Sequence, residues 1–279
     1  MNSVQRATLT VATIGSFITP FMISSVNVAL PAIEEEFRSQ GMNAILLSWV
    51  ATTYLLAAGA SLVPMGRLAD ITGRKKILGC GFALFALCSF FCALTSNVYI
   101  LIGFRGLQGL GGGMIFGTSM AILTSVFPPQ QRGRVLGLAV SAVYIGLSSG
   151  PFLGGMLTYY FGWRSLFWII SVLGLLPLIV LILKLEGEWA DAADESYDVI
   201  GMLLYVPSLI GIIYGFSIVS RPAGLLMLIA GCGGLVGFVI RQRTIKEPLF
   251  QVDLFMNNRV FALSSAAALI HYSATFALA

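Results

Sequence analysis

The stretch GLSSGPFLGG, Gly146 to Gly155, admits two incompatible folds. Its first five residues fit G-x-S-x-G, a hydrolase nucleophile elbow with Ser148 as the nucleophile, which needs a strand running into a helix. Its glycines also recur every fourth residue, at Gly146, Gly150 and Gly154, and on a single helix that spacing makes a flat stripe where a second backbone can lie close. The residues on either side decide between them. Positions 134–158 form one long apolar run with the length and character of a helix, and no strand precedes Ser148. A serine nucleophile also needs a base within hydrogen-bond reach, usually oriented by an acid. The single histidine, His271, lies on a distant segment, and none of the twelve acidic residues lies in the interior of an apolar run. The stretch reads as a helix seam, bent at Pro151, whose missing N–H removes one helical hydrogen bond.

The rest of the chain agrees. Of 279 residues 57% are hydrophobic and 10% charged, against about 25% charged in an ordinary soluble domain. Such a chain cannot cover a water-facing surface, so the class is all-α integral membrane. Nine runs approach the roughly 20 apolar residues a span requires: 9–31, 44–65, 77–95, 98–126, 134–158, 163–184, 198–219, 222–241 and 260–279. They are too long for the alternating strands of a membrane barrel. The first run is too long for a cleavable leader and is expected to stay as an anchor.

Lysine and arginine orient the spans. With the N-terminus inside, twelve basic residues face the cytoplasm and three, Arg38, Arg164 and Arg221, face outward. The expectation is a multi-pass protein of the cell membrane with a cytoplasmic N-terminus. A pI of 9.0 then reflects topology and not nucleic-acid binding. The acidic run EGEWADAADESYD, 186–198, falls on the same side and reads as a solvated linker. Tyr159, Tyr160 and Trp163 bracket an outer loop as expected interfacial anchors.

Little enzyme chemistry survives. There is no H-E-x-x-H, no pair of buried aspartates, and no G-x-x-x-x-G-K-[ST] loop for a nucleotide. Cys80, Cys88, Cys92 and Cys232 lie in apolar segments without a histidine or carboxylate to complete a metal site. The expectation is therefore no enzyme, no cofactor and no metal. What remains is one charge inside the membrane. In RGLQGLGGGMIFG, Arg105, Gly109, Gly113 and Gly117 follow at intervals of four, with Gln108 one turn from the arginine. Intramembrane charges mark functional sites by default, although an arginine can also simply bind backbone carbonyls of a neighbouring helix. Span one carries Thr13, Ser16, Thr19, Ser24, Ser25 and Asn27, hydroxyls and an amide that could line a cavity or bond their own helix. The loop GRLADITGRKK, 66–76, sets one acid, Asp70, between Gly66 and Gly73 and beside Arg74. Asp70 could cap a helix end or exchange partners as helices move.

Taken together these stretches resemble the major facilitator superfamily. GRLADITGRKK is similar to its cytoplasmic signature loop, RGLQGLGGG to its basic motif in span four, and GLSSGPFLGG to the span-five motif of its antiporter branch. NVALP, Asn27 to Pro31, resembles the fourteen-span drug exporters. The resemblance implies proton-driven alternating access between two six-helix bundles, with small-molecule substrate, protons and the lipid bilayer as partners and no nucleic acid. It implies a first bundle at 1–184, an acidic cytoplasmic linker at 185–197, two extra helices at 198–241, a connector at 242–259, and at 260–279 the first helix of an incomplete second bundle. Gly66, Asp70, Gly73 and Arg74 become a conformational latch. Arg105 becomes a coupling or substrate-binding residue, with Gln108, Asn27 and Ser24 as further candidates. Gly146, Gly150, Pro151, Gly154 and Gly155 become the seam controlling leakage.

Two departures follow. Met22 stands where the branch carries an acid, so Arg105 has no evident buried counter-ion in the first six spans, which points to anionic or neutral substrates. And the chain reaches only the start of a second bundle, so the expectation is an N-terminal piece of an exporter. The alternative is a half-length membrane protein that acts as scaffold, receptor or partner of a separately encoded second half.

Overall fold

The computed structural model describes residues 1–278, and these are helical, with short connections and no strand. The long helices are α1 (Ser3–Phe37), α2 (Ala44–Thr72), α3 (Arg74–Leu94), α4 (Val98–Val126), α5 (Pro129–Phe161), α6 (Arg164–Lys184), α7 (Val199–Ser217) and α8 (Pro222–Thr244). A single turn, α9 (Asp253–Asn257), precedes α10 (Arg259–Leu278). Helices α1 to α8 are long and apolar enough to cross a membrane. The ninth expected span falls on α10, whose neighbour Ala279 lies outside the described residues.

Several helices begin where the sequence supplies a cap. Asn2 and Gln5 form a capping box on α1, Asn43 accepts from Leu46 N (3.0 Å), and Asn97 accepts from Tyr99 N (2.9 Å). Proline occupies the first helical position of α5 and α8, where its missing N–H costs nothing. Because caps and not hydropathy set these ends, α1 and α5 run several residues past the apolar runs 9–31 and 134–158. Helix α5 continues through Pro151 without interruption.

The chain divides into two compact units, Met1–Glu195 and Ser196–Ala279. In the first, α1 lies against α4, α5 and α6, α4 also against α2 and α3, and α3 against α6. Side chains of α1, α3, α4 and α6 fill the middle: Val26, Ile33, Phe82, Phe85, Leu101, Ile115 and Phe167 are all essentially inaccessible. Met22 is fully buried among them. The outside is apolar too. Phe152, Leu183 and Ile182 are mostly exposed, which water would penalise and lipid does not. In the second unit α7 and α8 form an antiparallel hairpin, with Gly215, Gly224 and Gly231 at its closest approaches.

Two expectations are corrected here. Trp163 is not an exposed interfacial anchor: it is 3% accessible, and its Nε1 donates to Glu36 (2.7 Å), which also pairs with Arg164. The indole N–H needs an acceptor once the ring is buried, and Glu36 at the end of α1 supplies it. Tyr159 and Tyr160 are exposed. The acidic segment is not a solvated linker along its length, because Glu188, Trp189, Asp191, Ala192 and Glu195 bond to the end of α2 and the start of α3. An acidic run and the basic α2–α3 junction lie at the same end of the bundle, and the unlike charges meet.

Candidate functional site

Arg105 is 1% accessible, one of the largest fully buried side chains among the described residues. The guanidinium spends its donors on neutral groups. Its Nε donates to Val50 O (2.9 Å) on α2 and its Nη1 to Gln108 Oε1 (2.6 Å). Gln108 passes the chain on, donating from Nε2 to Ser89 Oγ (2.6 Å), and Ser89 donates to Phe85 O (2.7 Å) on α3. The Tyr54 ring lies 4.4 Å from the guanidinium carbon, a face-on contact that stabilises a desolvated cation. Tyr54 also reaches α1, where its hydroxyl donates to Thr19 O (3.4 Å). Among the described residues no carboxylate pairs with Arg105. Both readings of this arginine are therefore visible in part: it binds a neighbour's carbonyl, and it heads a polar chain across α2, α4 and α3.

The register of that chain continues down the helix pair. Arg105 meets the carbonyl of Val50, Gly109 that of Tyr54, Gly113 that of Ala58 and Gly117 that of Leu62. Both numbers advance by four, so α2 and α4 run parallel with their backbones in contact. A side chain at Gly113 would place its Cβ 2.6 Å from Ala58 O. The stripe in α5 meets α1 the same way. A Cβ at Gly146 would lie 2.5 Å from Phe17 O, at Gly150 2.6 Å from Ser24 Cβ, and at Gly154 2.7 Å from Ser25 Cβ. Gly155 is looser, with Val28 at 3.5 Å. Two hydroxyls close the seam: Ser24 donates to Leu147 O (2.8 Å) and Ser25 to Gly150 O (3.2 Å). Ser148 is exposed on the far side of the helix, as is Pro151.

The structure thus brings Arg105 and Gln108 together and sets Ser24 in a different contact, the α1–α5 seam. Asn27 is exposed on α1. The sequence reasoning passed over Ser89, Tyr54 and the Val50 carbonyl. Ser89 and Tyr54 stand in apolar runs with no motif around them, and a carbonyl carries no sequence signal.

The segment Gly66–Lys76 is not the loop the sequence suggested: Gly66–Thr72 are the last turns of α2, Arg74–Lys76 open α3, and Gly73 alone joins them, which makes this helix junction a second cluster. Gly73 has φ 120°, a backbone conformation that side chains resist. Arg74 donates to Asp70 Oδ1 from Nε (2.9 Å) and Nη2 (2.6 Å). Its Nη1 pairs with Asp191 Oδ2 (2.8 Å) and with Ser125 at the end of α4. Asp70 is a partner to Arg74 and caps nothing; its carbonyl accepts from Ala192 N (2.9 Å). Gly66 has open space around it. No group of three or more potential metal ligands occurs among the described residues.

A family model, Major Facilitator Superfamily, matches residues 12–196. Among curated proteins the chain is similar to the riboflavin transporter RibZ of Clostridioides difficile, with 29% identity over 89% of this chain and 54% of that protein. It is similar to the multidrug resistance protein Stp of Mycobacterium tuberculosis, with 29% identity over the whole of this chain and 52% of Stp. It also matches the tetracenomycin C resistance and export protein of Streptomyces glaucescens, at 28% over 89% of this chain and 46% of that one. The chain spans about half the length of these relatives.

Proposed function

Since this chain belongs to the Major Facilitator Superfamily, we propose that it forms part of a secondary active transporter that exports small molecules across the cell membrane, driven by protons. The observation that carries this reading is the coincidence of the family match, residues 12–196, with the compact unit Met1–Glu195. Transporters and export proteins among the relatives support it.

Alternating access needs two bundles that rock against each other around a central site. We read α1–α6 as one such bundle, α7 and α8 as helices inserted between bundles, and α10 as belonging with a second bundle in the complete transporter. The N-terminus and the α2–α3 junction face the cytoplasm on this reading, because twelve basic residues then lie inside.

In this scheme Arg105 holds the site's charge. With Met22 buried in the apolar core and no acid in its place, the polar chain from Arg105 through Gln108 to Ser89 is net positive. That favours anionic or neutral substrates over lipophilic cations, which a buried cation repels. The test is flux into inside-out membrane vesicles carrying the protein, with riboflavin, an anionic aromatic dye and ethidium as probes. The expected result is accumulation of riboflavin or the anionic dye on imposing a proton gradient, abolished by an uncoupler and by Arg105→Ala. Gradient-driven transport of ethidium alone would sink the charge assignment. No gradient-driven flux of any probe, with the protein inserted, would sink the export reading.

A further inference from the structure

Helix α3 starts at Arg74 directly after Gly73, and glycine has no side chain to cap it. The cap comes from 113 residues away. Glu188 Oε1 accepts from Lys75 N (2.7 Å), in the first turn of α3. The rest of the Glu188 side chain lies against Gly73, so that a Cβ there would meet Glu188 Cγ at 2.5 Å. A carboxylate at this place satisfies an orphan N–H and faces the positive end of the helix dipole. Around it the backbones pair: Arg74 N donates to Trp189 O (2.8 Å) and Ala192 N to Asp70 O (2.9 Å). Lys75 Nζ donates to Leu185 O. Two ion pairs flank these bonds, Arg74 with Asp191 and Arg67 with Glu195.

We propose that residues 186–195 are a strap that holds the α2–α3 junction, Gly66–Lys76, in one arrangement, with Glu188 capping α3 from outside the helix, and that release of the strap frees the charged side chains of this junction to change partners. The strap is contained within the first compact unit, so it fastens the junction to its own bundle. The change of partners rests on the transporter reading; the strap itself does not.

The contacts differ in kind. The side chains of Asp191 and Glu195 are 68% and 40% exposed, so their ion pairs are weak and screened by salt. The cap and the two backbone bonds carry the attachment. Gly73 makes room for it: its φ of 120° and its missing Cβ both permit Glu188 to reach the helix end.

Amide hydrogen exchange on the full chain in lipid nanodiscs tests this without any transport assay. Glu188→Ala is expected to speed exchange at Arg74 and Lys75 on the order of fivefold, the effect of losing a helix cap. Glu188→Gln keeps an acceptor oxygen and is expected to restore most of the protection. Asp194→Asn makes the same charge change on the exposed side of the segment and is expected to change nothing; unaltered exchange in α1 and α4 peptides shows that each variant is folded. Unchanged exchange at Arg74 and Lys75 in Glu188→Ala, or equal loosening in Asp194→Asn, overturns the strap. If Glu188→Ala loosens the start of α3 but leaves vesicle flux at the wild-type rate, release does not lead to a change of partners, and that part of the proposal falls. Absent flux in the wild type with a loosened start of α3 in Glu188→Ala tells against the transporter reading alone.

Discussion

At the scale of single residues, charge in this protein is handled by neutral partners in the membrane and by opposite charges outside it. Arg105 is satisfied by a carbonyl, an amide oxygen and an aromatic face. Lysine has no planar fork to reach Val50 O and Gln108 together. Arg105→Lys is therefore expected to lower stability by about 1–3 kcal/mol, the range for leaving buried polar groups unpaired, read as a lower melting temperature in detergent. Asp198 shows the opposite solution. It sits just before α7, outside the membrane-crossing helix, and accepts from Arg241 Nε (2.9 Å) and Nη2 (2.8 Å), Gln242 Nε2 (2.7 Å) and Gly201 N (2.9 Å). Burial pushes its carboxyl up, but the bonds from Arg241, Gly201 and Gln242 outweigh burial and hold it below the ordinary carboxylate range. A depressed carboxylate contributes stability that is full above the unfolded value, about 3.9, and is lost as pH falls through the lower folded value. Exchange protection of the α7–α8 hairpin is thus expected to be flat from pH 8 to 5 and to fall only in stronger acid. In Asp198→Asn it is expected to be weaker at neutral pH and without that acid step.

At the scale of helices, the glycines sort by what lies opposite them. Gly146 faces the Phe17 carbonyl at 2.5 Å from a would-be Cβ, and backbone cannot move aside as a flexible side chain can. Gly146→Val is expected to force α1 and α5 apart at a cost of about 1–3 kcal/mol or more. Gly103 and Gly137 face open space, and alanine there removes only glycine's helix penalty, about 1 kcal/mol. Gly103→Ala and Gly137→Ala are expected to leave the melting temperature unchanged or raised, in the same detergent series where Gly146→Val lowers it. The four-residue spacing of both stripes was legible in the sequence, because one helix repeats its face about every fourth residue. Which helix lay opposite was not. The sequence offers several apolar partners of equal hydropathy, and only the matched advance of 105–117 against 50–62 singles out α2.

At the scale of the whole molecule, the outer surface is apolar along the spans and charged at their ends, as a bilayer requires. Orientation is checkable on the intact protein. In a background without the four native cysteines, Gln40→Cys is expected to react with a membrane-impermeant maleimide in whole cells. Asp194→Cys is expected to react only after the cells are opened. Labelling in the reverse order would invert the topology, and with it the side on which the α2–α3 junction works. Both substituted positions are exposed, so failure to label reflects the membrane and not burial.

The sequence by itself determined the class, eight of the nine spans it suggested, the superfamily and the glycine faces. Each of these is written in one-dimensional pattern: hydropathy over about twenty residues, glycine spacing of four, and short motifs in order. The tertiary structure alone decided what those residues touch. Arg105 proved to be bound by a carbonyl of α2, Trp163 to be buried against Glu36, and the acidic segment to be docked on the first turn of α3. A backbone acceptor carries no residue identity, and a carboxylate reads as solvated until a partner distant in sequence is folded against it. Those contacts join residues as far as 128 apart, and no local pattern encodes a pairing at that range.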